Sequence, residues 1–138
     1  MTFDAGFTNR DSLRAFWRLQ KDFRFEASHL LPNHDGKCAR MHGHSWLGRV
    51  IIEGRELERS GPKEGMILDY SSISEAIKPL VDNYLDHWHL NDRTGLANPT
   101  SEELARWIFD KLKPWLRGLV CVVIEETCTA RCEYWGYN

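Results

Sequence analysis

An α+β fold, a four-stranded antiparallel sheet with two helices on one face, is what this sequence predicts. Three observations lead there. The stretch "DFRFEASHL" alternates, with Phe23, Phe25, Ala27 and His29 on one side, which is the period of a strand. "LVCVVIEETC" is a near-continuous β-branched run. Between them, Ser72 with Glu75 and Thr100 with Glu103 have capping-box spacing ahead of apolar stripes of helical period. Strand, strand, helix, helix, strand, strand is most economically built as helices laid on one face of an antiparallel sheet.

The elements follow in chain order. Residues 1–14 carry few periodic apolars and read as an arm ahead of a single domain at 15–138, although "DSLRAFWRL" could form a short helix. The first strand lies between Phe16 and Leu31. "LPNHDGKCARM" is a loop punctuated by Pro32 and Gly36. "HSWLGRVIIEG" is the second strand, and "GMILDY" a brief extended piece leading into the first helix. Ile73, Ile77 and Leu80 or Val81 give that helix its stripe, and Pro79 weakens its last turn. The second helix spans 101–112, with Leu104, Trp107, Ile108 and Leu112 inward and Pro114 limiting its length. "ARCEYWGY" pairs with the β-branched strand across a short turn.

With 138 residues and 42% hydrophobic content, there is material for one core and little for a second. Eighteen basic against twenty acidic residues leave a charge of −2, which offers no concentrated basic field for nucleic acid or an anionic membrane. No apolar run reaches bilayer length. "MTFDAGFTNRDSL" lacks the basic start and apolar stretch of a secretory segment, so a cytoplasmic setting with unbridged cysteines is expected. Of the four cysteines, Cys121 falls in an apolar run and reads as buried; Cys128 and Cys132 form no zinc motif without a second pair.

The chemistry concentrates in "CARMHGHSW". On a strand, His42 and His44 point to one face, about 7 Å apart. His29 ends the neighbouring strand of the same hairpin. Three imidazoles with an open fourth position suit catalytic zinc, which polarises a carbonyl or hydroxyl oxygen. The plainer reading is three unrelated strand or loop histidines. Cys38, near Lys37 and Arg40, could be an activated thiol or an inert loop cysteine. In "LDHWHLN", Asp86 and His87 could carry protons. As sequence neighbours they should not face one another, so a third group would have to link them. His34 and His89 read as surface or supporting histidines. At the end of "VVIEET", alternation sends Glu125 and Glu126 to opposite faces. Either could accept two parallel N–H bonds from a guanidine-like edge of a heterocycle.

Six motifs in order, "FEASHL", "CARMHGHSW", "GMILDY", "LDHWHLN", "NPTSEELARWIF" and "EETCTARCEY", make residues 19–137 resemble the 6-pyruvoyl-tetrahydropterin synthase family. The likeness leans toward its bacterial branch that makes a 6-carboxy-tetrahydropterin for queuosine. The resemblance implies the tunnelling fold, or T-fold, in a homo-oligomer, hexamer or tetramer, with active sites at subunit interfaces. It implies zinc on His29, His42 and His44, a reactive Cys38, a proton relay at Asp86 and His87, and a pterin-anchoring Glu126. It further implies a lyase that converts 7,8-dihydroneopterin triphosphate to the carboxy product, acetaldehyde and triphosphate. Lys37, Arg40 and Arg131 are candidates for holding the triphosphate by their charge. Two alternatives remain at this level: a pyruvoyl synthase that eliminates triphosphate only, and a non-catalytic zinc-dependent pterin-binding or assembly module.

Overall fold

The computed structural model describes residues 14–136. All of the expected N-terminal arm except Arg14 lies outside them, and so does the start of the helix considered at "DSLRAFWRL". Its last residues, Trp17 to Leu19, are strand.

Strand β1 (Trp17–His29) and strand β2 (His42–Gly54) form an unbroken antiparallel hairpin, from Trp17 opposite Gly54 to His29 opposite His42. The loop between them is drawn in by Leu31 N–H donating to the Cys38 carbonyl at 2.9 Å, and it contains a 3-10 turn at Lys37–Ala39. After β2, "GMILDY" is bent rather than extended. Helix α1 (Tyr70–Leu80) begins three residues earlier than the Ser72/Glu75 spacing suggests. Its cap is Asp69, whose carboxylate accepts from Ser71 N–H at 2.9 Å. The ammonium of Lys63, 2.5 Å away, and the Ser71 N–H hold that carboxyl down to about 2.

The helix runs through Pro79 to Leu80 and then widens into a π-helical turn, Val81–Leu85, closed by Asp86 N–H on the Val81 carbonyl at 2.8 Å. A two-residue strand β3 (Trp88–His89) follows, then the short helix α2 (Leu90–Thr94), helix α3 (Ser101–Leu112), strand β4 (Leu119–Thr127) and strand β5 (Ala130–Trp135). Thr100 caps α3 as expected, its hydroxyl accepting from Glu103 N–H at 3.1 Å. The Glu103 carboxylate is turned to Arg106 and does not complete the reciprocal half of the box.

The sheet order is β3-β1-β2-β4-β5. The four long strands are antiparallel and are those expected. The addition is β3, which pairs parallel with β1 through Ala27 opposite Trp88 and Ser28 opposite His89, so the five-stranded sheet is mixed. One face is sealed by the helices: Phe25, Trp46, Val50, Ile52, Leu119, Val122 and Ile124 of the sheet meet Ile73, Ile77, Leu104, Ile108 and Leu112 in one cluster. Leu30 N–H and C=O are both bonded by the Asn91 side-chain amide, at 3.0 and 2.8 Å, which ties the end of β1 to α2.

Candidate active site

The hairpin register builds the centre. His29 lies directly across from His42, and Ala27 from His44. Alternation puts all three imidazoles on the helix-covered face, beside Phe25 and Trp46. Ring centroids are 4.6 Å apart for His29 and His42, 4.9 Å for His42 and His44, and 5.2 Å for His29 and His44. Trp46 underlies the cluster, 5.0 Å from His29 and 5.1 Å from His44, with its indole N–H satisfied by the Ala27 carbonyl. One nitrogen from each histidine falls within 4.8 Å of the others, so the trio could hold a metal ion.

The hydrogen bonds around the rings decide which nitrogen that is. His29 Nδ1 sits 2.9 Å from the Pro99 carbonyl and His42 Nδ1 2.7 Å from the Arg40 carbonyl. A carbonyl only accepts, so both Nδ1 atoms carry the proton and both Nε2 lone pairs are left bare. A metal-binding histidine needs this arrangement. His29 is fully buried, and the Nε2 atoms of His29 and His44 are buried with no hydrogen-bond partner. An orphaned buried polar atom costs about 1–3 kcal/mol, a penalty that a cation would remove. The donor set therefore fits a borderline metal of tetrahedral preference.

Burial holds both His29 and His44 below the ordinary histidine pKa of 6.5. The other imidazoles push the same way, while Glu126 pulls each back up, as does the Pro99 carbonyl for His29. The unfolded chain thus binds more protons than the metal-free fold once pH drops below about 6.5. The stability these two groups contribute is fully present above that pH and is lost as pH falls toward their folded values. Melting of metal-stripped protein should accordingly drop in temperature between about pH 7.5 and about 5.5, and replacing His29 and His44 with glutamine should flatten the drop. A wild-type melting temperature unchanged across that window would refute the neutral, buried state of the rings.

Glu126 completes the cluster. It follows Val122 and Ile124 on the inward face of β4, and the β4–β5 register slips between Glu125 and Thr127, leaving Glu126 without a cross-strand partner. A bulge of this kind re-aims a side chain. Here the carboxylate oxygen Oε1 stands 3.5 Å from His29 Nε2 and 3.6 Å from His44 Nε2. Glu125 points to the other face and pairs with Arg131 at 3.6 Å, which occupies one of the cations considered for triphosphate.

Asp86 and His87 do face one another, contrary to the expectation for sequence neighbours. His87 takes φ 65°, and this left-handed bend folds its Nδ1 back to 2.9 Å from Asp86 Oδ2. The other Asp86 oxygen accepts from Glu26 N–H at 2.8 Å, and His87 N–H donates to the Glu26 carbonyl at 2.6 Å. Those bonds, Glu26 first and His87 second, lower the Asp86 pKa. His87 lines an open cleft of about 440 Å³ with Glu26, Ser28, His44, Ser45 and His89. Glu26 and Ser28 alternate away from the helices and His44 toward them, so the cleft runs along the edge of the sheet and reaches the rim of the imidazole cluster.

Cys38 is half-buried in the loop turn and is not part of the cleft's lining. Its backbone, with the Arg40 carbonyl two residues on, braces the approach to His42. Cys121 is buried as expected, its thiol pushed up to about 12 chiefly by desolvation; all four cysteines are free. His34 serves the loop, its Nδ1 accepting from Gly36 N–H.

Sequence reasoning passed over the Pro99 and Arg40 carbonyls, which carry no side-chain signature. It also passed over Glu26, whose carboxylate takes the Ser45 hydroxyl at 2.6 Å, and Ser28, 2.9 Å from His89 Nδ1. The alternation of "FEASHL" could have found the last two, since it sets Glu26 and Ser28 together on the outer face.

Fold and site together define an α+β protein with three histidines on a sheet that could hold a metal ion. The chain belongs to the 6-pyruvoyl tetrahydropterin synthase family, whose sequence model matches residues 18–137. It is 48% identical over 121 residues to the 6-carboxy-5,6,7,8-tetrahydropterin synthase of Synechocystis sp., covering 87% of this chain and 94% of that protein. The protein of the same name from Haemophilus influenzae is 32% identical, over 86% of this chain and 98% of its own. Among solved structures, the 6-pyruvoyl tetrahydropterin synthase of Caenorhabditis elegans superposes with a TM-score of 0.75 at 26% identity, over 89% of this chain and 97% of that one. The tunnelling fold is thus the fold of this chain, and its activity is that of a lyase.

Proposed function

We propose that this protein converts 7,8-dihydroneopterin triphosphate to 6-carboxy-5,6,7,8-tetrahydropterin, acetaldehyde and triphosphate, as a zinc-dependent step toward queuosine. The observation that carries the reading is the set of bare Nε2 atoms beside Glu126, three donors that could hold a metal with a hydrogen-bond acceptor at their rim. The names of the bacterial relatives support the carboxy product.

His29, His42 and His44 would hold the zinc, which when bound supplies Lewis acidity toward oxygens of the three-carbon side chain. Glu126 accepts two N–H bonds from the pterin's guanidine-like edge and sets the ring's register. Asp86 keeps the His87 proton on Nδ1, leaving Nε2 free to take a proton from the side chain and return it. Cys38 is the second proton carrier. His87 and His44 line one open cleft, and the protein works as a homo-oligomer, hexamer or tetramer, with active sites at subunit interfaces where a neighbouring copy would close that cleft. The working unit is one catalytic domain, residues 15–138, in the cytoplasm. Among the described residues, no helix is long and apolar enough to cross a membrane.

Mass spectrometry of products from 7,8-dihydroneopterin triphosphate and the zinc-loaded protein tests the reaction. Carboxy-tetrahydropterin together with acetaldehyde is expected. Pyruvoyl-tetrahydropterin without acetaldehyde would move the chain to the elimination-only reaction, and unchanged substrate with zinc bound would leave it a pterin-binding module.

A further inference from the structure

We infer that Arg93 is a positioning residue for the Asp86–His87 pair, acting through a stacked clamp on Trp88 and Tyr84. A non-glycine residue at φ 65° is strained, so the His87 bend persists only if its surroundings hold it. On one side it is held by the π-helical turn and by the two bonds to the Glu26 backbone. π-Helical turns of this kind recur at functional sites.

On the other side, Trp88, the residue directly after His87, is held by its backbone pairing with Ala27 of β1 and by what grips its side chain. Its indole N–H donates to the Asp82 carbonyl at 3.1 Å. The Arg93 guanidinium carbon lies 4.4 Å from the Trp88 ring and 4.8 Å from the Tyr84 ring. Arg93 Nε also donates to the Asn83 carbonyl at 2.5 Å. One side chain therefore touches the chain before the bend, at Asn83 and Tyr84, and after it, at Trp88. Tyr84, 39% exposed, also meets Trp107 at 5.8 Å, whereas the Trp88 ring, 40% exposed, is gripped from outside the core. The planar, charged fork of Arg93 is the element that can stack on two rings and bond a carbonyl at once.

The consequence is geometric. Neighbouring side chains meet only because of this bend, so a Trp88 that drifts opens the 2.9 Å contact between His87 Nδ1 and Asp86 Oδ2. The importance of that contact for turnover rests on the reading of His87 as proton carrier, and the test separates the two ideas. Long-range proton–nitrogen spectra of the His87 ring are recorded for the zinc-loaded wild type, Arg93→Ala and Arg93→Lys, with His87→Gln assigning the signals. The wild type should show the proton on Nδ1. Arg93→Ala should show an averaged tautomer, with kcat lowered about tenfold and KM held within about twofold. Arg93→Lys, which keeps the cation but not the fork, should fall between.

A wild-type His87 signature in the variants overturns the clamp, whatever happens to turnover. An altered signature with unaltered turnover upholds the clamp and removes His87 from the chemistry, sinking the proton-carrier reading alone. Should Arg93→Ala not fold, the same signature in Arg93→Lys decides.

Discussion

Replacing His29 with alanine is expected to strip the metal and lower turnover by at least about a thousandfold, the scale of several kcal/mol of lost charge stabilisation. His29 is the ring with most to lose. It is fully buried, its Nδ1 is committed to the Pro99 carbonyl, and its Nε2 has no hydrogen-bond partner. Removing it orphans the Pro99 carbonyl and leaves a void against Trp46, so the metal-free fold should also lose about 2–4 kcal/mol. Glutamine at the same position separates the two effects. Its amide can still donate to Pro99 and fill part of the void, so stability should partly return while metal and turnover stay lost. Elemental analysis, melting curves and steady-state rates on His29→Ala and His29→Gln make the comparison. Stoichiometric zinc with near-normal turnover in either variant would sink the centre as drawn.

Much of this site was readable before any coordinates, and the reasons are local. Period-two alternation needs only a strand, so the sharing of one face by His42 and His44 followed from spacing, while His29 joins them through the hairpin register that sets it opposite His42. So did the opposed directions of Glu125 and Glu126. Thr100 lies directly before its helix and competes with nothing, so its cap was legible too. The failures have a different cause, since each feature is made by contacts that a periodic pattern does not carry, two of them distant in the chain. β3 is two residues long, too short for any period, and exists because β1 offers it an edge. Asp69 displaced Ser72 as the cap of α1 because Lys63, six residues upstream, joins Ser71 in holding its carboxylate. The contact between Asp86 and His87 required a left-handed histidine, which the sequence gives no reason to expect without the Glu26 backbone to receive it.

Replacing Glu126 with glutamine should raise KM at least about a hundredfold while leaving the metal content unchanged. The two halves of that expectation test different things. A carboxylate oxygen 3.5 and 3.6 Å from two bare Nε2 atoms is close enough to the centre to serve as a fourth ligand with a small shift. A closed site with four protein ligands would be structural, with no position left for substrate oxygens. The bulge at Glu125/Thr127 argues for the other role. It frees Glu126 from cross-strand pairing, so its carboxylate, 30% exposed, reaches solvent at the rim while its neighbours Ile124 and Val122 stay in the core. An acceptor that is half in solvent and fixed on a rigid strand is suited to a heterocycle's paired N–H groups. Glutamine there presents an amide N–H to at least one of those donors and leaves it unpaired, which is why the loss should be large and fall on binding. Zinc titration beside steady-state kinetics on Glu126→Gln distinguishes the roles. Weaker zinc with an unchanged KM would make Glu126 a ligand and close the fourth position, and the pterin would then need a different anchor.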